Sequence, residues 1–317
     1  MMSQTHIGYT YWQQPDQNNM PEVGEIPLQE NAEMGVGVQG LESVVTGNGS
    51  TTTLPAFDPF NDQEFYIEIF NKGQKPFEHH IQKKPSWLEL SEEKGTIEDQ
   101  KRLKVQVNWG KAPKGSSTCS FQVNGTYKQV TIKVPVQNFN KGKIQGFVES
   151  NGFISMEADN FSENVQVDGK GWQLIPNLGR TGAAMTSFPH EPTQQEVSKD
   201  NPYLAYDFYS FTQGKAEVEF YLSPTIDFRN QGGLEFAYSV DDGAPQVINM
   251  QGQTKDNWDT SVANNVTKVS VTVNFNPGNH TLKVWAIETG IVLQKIVIIT
   301  GEKKNSYLGP PESAKVK

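Results

Sequence analysis

Between Phe57 and Val136, apolar and polar residues take turns at every second position, the period of strands with one buried face. Glu64-Phe65-Tyr66-Ile67-Glu68-Ile69-Phe70 ends at the turn signal Asn71-Lys72-Gly73. Trp87-Leu88-Glu89-Leu90 leads into Gly95-Thr96-Ile97, and Leu103 to Trp109 and Val130 to Val134 alternate cleanly. Short strands spaced by Gly and Asn turns predict a seven-strand, immunoglobulin-like β-sandwich over 57–137.

From Gly146 the pattern changes scale. Strands are expected at Phe153 to Phe161, Tyr203 to Phe208, Ala216 to Leu222, Leu234 to Val240, Val266 to Phe275 and His280 to Ile299. Asp241-Asp242-Gly243 and Asn276-Pro277-Gly278-Asn279 read as hairpin turns. Ile291 to Ile299 is nearly all apolar, which suits a strand buried on both faces. These strands predict a larger, jelly-roll-like sandwich over 138–317. With no helical period of useful length and no solenoid repeat, the fold class is all-β. Residues 1–56 read differently. His6 to Pro15 is rich in aromatics, including Tyr9, Tyr11 and Trp12, but has no period and no room for a core. Gly24, Gly35, Gly37, Gly40, Gly47 and Gly49 follow, so the stretch is expected to be an extended docking and connector segment lying on a neighbour.

Composition narrows the function classes. A net charge of -9, with Lys and Arg scattered, excludes the clustered basic footprint that nucleic acid needs. No stretch of about 20 apolar residues is present to span a membrane. Cys119 is the only cysteine, so no internal disulfide exists, and its alternating surroundings predict a buried strand thiol. The start lacks the basic and apolar regions of a signal peptide, and a natural start farther upstream is expected.

Three passages resemble one family. Ser3 to Pro15 resembles the segment after the helical domain of glycoside hydrolase family 115 α-glucuronidases. Phe153 to Phe161 with Gly179-Arg180-Thr181-Gly182-Ala183-Ala184-Met185 resembles the start of that family's C-terminal domain. His280 to Trp285, Val292 to Ile298 and Ser306-Tyr307-Leu308-Gly309-Pro310-Pro311-Glu312-Ser313 resemble its last strands and terminus. The resemblance implies a parent that removes glucuronic acid or its 4-O-methyl form from glucuronoxylan, exported to the periplasm or outside the cell. It also implies that 138–317 is like a carbohydrate-binding module and that the catalytic barrel lies elsewhere.

The chemistry on offer agrees with that absence. Glycoside hydrolysis needs two carboxyl groups set across the bond, and no strand–helix alternation exists here to build a barrel around them. No catalytic residue is therefore assigned. His79 and His80 are adjacent and point to opposite faces of a strand, so they cannot share an ion. Glu157 and Asp159, at i and i+2, share a face, and their segment resembles the first strand of sandwiches that hold a structural calcium. Flat aromatics and a guanidinium are the groups expected to grip an acidic sugar. Trp172 and Trp258, each among turn residues, are expected to be exposed, and Arg180 is the candidate partner for a uronic carboxylate. Trp285 alternates within a strand and belongs in a core. The leading expectation is a non-catalytic accessory region that docks on the catalytic portion of its parent or on a second subunit. The alternative is an autonomous protein binding glucuronoxylan or another acidic plant polysaccharide.

Overall fold

The computed structural model describes residues 24–316, apart from 26, 42, 43, 62, 191–196, 199, 231 and 303–305. His6, Tyr9, Tyr11 and Trp12 lie outside the described residues.

The first region consists of two sheets around one apolar core. One sheet orders the strands Met34–Val38, Phe65–Asn71, Gln100–Val107 and Leu88–Leu90. The other orders Ser50–Thr53, Lys128–Asn138, Gly115–Gly125, Phe77–Gln82 and Lys94–Ile97. Inward positions Ile67, Ile69, Leu103 and Val105 belong to the first sheet. Phe121, Val123, Ile132 and Val134 belong to the second, and none of the eight is more than 1% exposed. Each such side chain stabilises the fold by about 1.5–3 kcal/mol. Cys119 is half-buried against this core, and burial pushes its thiol up to about 11, so it carries no thiolate at neutral pH.

Alternation predicted seven strands here, and the two additional ones, Met34–Val38 and Ser50–Thr53, come from the stretch read as a connector. That reading is corrected. Met34, Val36 and Val38 are buried and alternate with Gly35 and Gly37, so the strand period was present beneath the glycines. Gly35 is required because a Cβ there would lie 2.4 Å from the Phe70 ring across the pair.

The second region also has two sheets. One orders Gln246–Asn249, Glu235–Val240, Gly278–Ala286, Tyr203–Ser210, Gly146–Val148 and Lys315–Val316, with Glu163–Val165 beside Tyr203–Ser210. The other orders Gly171–Ile175, Ala184–Phe188, Val292–Ile299, Gly214–Leu222 and Thr267–Phe275, with Phe153–Glu157 also paired to Val292–Ile299. Tyr206, Phe208, Phe220, Phe236, Ile296 and Ile298 share the core between them. Val292–Ile299 is buried along its length, as its apolar run predicts. Its inner face meets that core, and its outer face is covered by residues 306–313, here called the strap.

Two turns behave differently. Asp241-Asp242-Gly243 closes a hairpin between Glu235–Val240 and Gln246–Asn249. Asn276-Pro277 instead carries the chain from Thr267–Phe275 in one sheet to Gly278–Ala286 in the other, so it is a corner between sheets and not a hairpin. Two short helices, Met250–Gln253 and Trp258–Asn264, are capped by Asn249 and Asn257.

Candidate functional site

Parts of the described passages that carry the family resemblance, from Phe153–Glu157, Thr181 and residues 306–313, meet in space beside the outer face of Val292–Ile299. Lys295 on that strand is paired in register with Glu157 on Phe153–Glu157, and its Nζ lies 2.9 Å from Glu157 Oε1. The ammonium also reaches the carbonyls of Pro310 at 3.2 Å and Leu308 at 3.4 Å. Thr181 Oγ1 lies 2.8 and 3.0 Å from the two oxygens of Glu157 and donates to that carboxylate. Glu312 accepts from the Glu157 amide at 3.0 Å and from Asn160 Nδ2, and Ser313 exchanges bonds with Ser155. One loop, two strands and the strap are thus joined by a polar network.

Arg180 belongs to the same construction. Its Nε donates to Asn264 O at 2.7 Å, its Nη1 donates to Tyr307 O, and its guanidinium stacks 4.1 Å from the Tyr307 ring. Gln294 accepts from Arg180 N and donates to Ser223 Oγ and Asn265 O. The fork expected to grip a uronic carboxylate is therefore committed to two main-chain carbonyls and an aromatic face.

Trp172 requires a correction, because it is 1% exposed. The turn signal Gly169-Lys170-Gly171 ends one residue before it, and the strand Gly171–Ile175 sends its side chain into the core. Its indole Nε1 has no hydrogen-bond partner, and the void beside it is about 20 Å³, room for one water and not for a sugar. Trp258 is 50% exposed, as its setting predicts. It opens the helix Trp258–Asn264, and Val262, four residues on and on the same face, is equally exposed. Tyr307 and Leu308 add two more exposed apolar side chains at the strap, tied to the end of that helix by Arg180.

The acid pair does not fit a calcium ion. The strand ends at Glu157, so Asp159 stands in the turn beyond it, although both carboxylates approach Gly182. Glu157 is already held by Lys295 and Thr181. Asp159 Oδ1 is shut from solvent with no partner, but one free oxygen falls short of the about six to eight that calcium takes. Among the described residues no group of three or more His, Cys, Asp or Glu side chains is placed to hold a metal. His79 is buried and His80 exposed, on opposite faces as expected.

A groove of about 340 Å³ lies between the Glu217, Glu219 and Lys268 positions and the connector at Lys255 and Asp256; no aromatic ring lines it. The residue that sequence reasoning missed is Lys295. Its signal was available: a lysine inside a nine-residue apolar run must find an anionic or carbonyl partner.

A β-sandwich with a strap fastened across the outer face of one sheet is the class of protein that this geometry defines. The sequence of the glycosyl hydrolase family 115 C-terminal domain matches residues 146–312, more than half of the chain, and the chain belongs to that family. No curated protein matches it. Among solved structures it is similar to a family GH115 4-O-methyl-α-glucuronidase with specificity for decorated arabinogalactans (18% identity, TM-score 0.36). That match covers 47% of this chain and 17% of the enzyme. It is similar to a family 35 carbohydrate-binding module from Clostridium thermocellum (19% identity, TM-score 0.32), over 46% of this chain and 97% of the module. A Xyl-CBM35 in complex with a disaccharide containing glucuronic acid is similar at 10% identity and TM-score 0.32. There the match covers 47% of this chain and 94% of the other.

Proposed function

We propose that this chain is the non-catalytic C-terminal accessory region of a xylan α-glucuronidase, and that it docks on the catalytic portion of that hydrolase. One observation supports this most directly. The residues that looked able to bind a sugar or a metal, Arg180, Trp172 and Glu157, are all used to hold the sandwich together. Near them, exposed apolar side chains remain: Trp258 and Val262 along one helix face, with Tyr307 and Leu308 on the strap. Exposed apolar side chains on two elements that Arg180 ties together suit a protein partner. Export to the periplasm or the cell exterior follows from the same reading. Among the described residues no helix is long and apolar enough to cross a membrane.

The test is size-exclusion chromatography of this chain with the separately produced catalytic portion of its parent. Co-elution is expected, and Trp258→Glu with Val262→Glu is expected to abolish it while leaving the fold intact. Independent elution of the wild-type chain at micromolar concentration overturns the docking reading. Release of glucuronic acid by this chain alone overturns the non-catalytic one.

The half-exposed Trp258 ring supports a second reading, direct binding of acidic xylan by 138–317. Calorimetric titration with aldouronic xylo-oligosaccharides decides between them. Binding that disappears in Trp258→Ala favours the second reading, and no heat at millimolar sugar leaves docking.

A further inference from the structure

We propose that Lys295 is a tethered cation. Its ammonium fills an oxygen cage that joins the strap to the sheet, so that the strap closes without a metal ion. The cage is formed by one carboxylate oxygen of Glu157 and the carbonyls of Leu308 and Pro310, at 2.9, 3.4 and 3.2 Å. These are hard oxygen donors drawn from two separate segments, the kind of donor set that otherwise collects around a divalent cation. The Lys295 side chain is 3% exposed and covalently part of the sheet, so the charge is held in the site by the chain itself.

Its position explains why a side chain serves here. Val292–Ile299 runs between Phe153–Glu157 and Gly214–Leu222, so Cβ of residue 295 rises from the middle of the sheet directly beneath the strap. A lysine stem spans the distance from that strand to the strap carbonyls. Ser155 Oγ donates to the same Pro310 carbonyl at 3.1 Å, and Gly309, with φ of 76°, turns the strap close over the Tyr221 ring. With Lys295 and Thr181 on Glu157, that carboxylate is already occupied and is not free to recruit a second ion.

Melting of the whole chain supplies the first measurement. With millimolar calcium or with a chelator, the wild-type melting temperature is expected to move by less than about 1 °C. A rise of several degrees with calcium that is lost in Asp159→Asn would overturn the proposal, because the acid pair would then hold a metal.

Lys295→Met keeps the volume and removes the charge, leaving a buried carboxylate unpaired. The expected fall in melting temperature is about 6–12 °C. Amides of residues 306–316 should exchange faster than those of the rest of the sandwich. An unchanged melting temperature with unchanged exchange in the strap refutes the assignment. Should Lys295→Met fail to fold, Glu157→Gln combined with Lys295→Met removes both charges and is expected to recover the fold in part. Lys295→Ala opens a hole beside the carbonyls, and propylammonium is expected to raise its melting temperature but not that of Lys295→Met. Absence of that selective rescue counts against a cation cage.

Discussion

The two sandwiches bury different chemistry. In the first region the buried polar side chains among the described residues are Thr52, Asp58, His79 and Asn138, one carboxylate among them. In the second they include Glu149, Glu157, Glu219, Glu288 and Lys295. The first region is thus held by interlocking aliphatic and aromatic side chains between two sheets. In the second, an apolar core is supplemented by carboxylates that gather main-chain donors where loops and the strap leave the ladder. Buried charges of this kind contribute little net stability compared with apolar packing, but they penalise every alternative arrangement of the segments they join. The lesson is that acidic and basic residues in a sugar-processing family are not by themselves a binding site. Here they serve as fastenings.

The largest effect is expected at Glu149, because it has many dependents and no cation. Its carboxylate accepts from Ser210 Oγ, from the amides of Phe211 and Thr212, from Thr212 Oγ1 and from Thr300 Oγ1. Glu149→Leu removes the shared acceptor of those bonds and should cost about 3–5 kcal/mol in urea unfolding. Glu149→Gln, which keeps one acceptor oxygen, should cost roughly half as much. Equal loss in the two variants would show that volume matters here and not hydrogen bonding.

In the first region the matching change is apolar. Ile67 is fully buried between the sheets, and Ile67→Ala should cost about 2–4 kcal/mol through lost burial and the cavity left behind. The contrast with Glu149 is in rescue. Ile67→Val should recover most of the loss, because shape is all that this core requires.

The junction between the regions ranks third. Asp58, 1% exposed, accepts from the Phe60 and Asn61 amides, from Asn61 and Gln63 side chains, and from Ser150 Oγ across the boundary at 2.8 Å. Asn61 Oδ1 accepts from Ala314 N at 2.9 Å, and Asn151 Oδ1 accepts from Ala56 N at 2.7 Å. Asp58→Ala should cost about 1–3 kcal/mol and split one calorimetric transition into two. A single transition in the variant would show that the two sandwiches are coupled by more than this polar joint.

Much of this fold could be read from the residues because the strand period survives wherever one face is buried. Tyr203–Ser210, Gly214–Leu222 and Thr267–Phe275 fall where alternation placed them. Met34–Val38 was missed because glycine at the alternate positions resembles a linker, although glycine there admits the Phe70 ring. The candidate site fared less well for a different reason. Exposure of a tryptophan next to a turn depends on which residue begins the next strand, and at Trp172 that margin was a single position. Whether Arg180 faces a ligand or a carbonyl depends on a segment more than a hundred residues away, Tyr307, which no local pattern reports.

His79 gives the smallest expected effect and contrasts the two regions by pH. Its ring is buried, with Nδ1 2.8 Å from the Gly95 carbonyl and Nε2 without a partner. Nδ1 therefore carries the proton and donates, and a second proton would have to enter apolar surroundings at Nε2. Burial is the main cause that holds its pKa below the ordinary 6.5, against the opposing pull of the Gly95 carbonyl and Glu92. The folded state then binds fewer protons than the unfolded one as pH falls below that value. The stabilisation is fully present above pH 6.5 and is lost progressively as pH falls toward the folded-state pKa. Urea midpoints measured between about pH 7.5 and 5, above the range where carboxylates titrate, should fall for the wild type and flatten in His79→Leu. His80→Gln, on the exposed face of the same strand, should keep the wild-type slope. A slope that survives His79→Leu would show that the pH-sensitive group is not His79 and would remove the contrast.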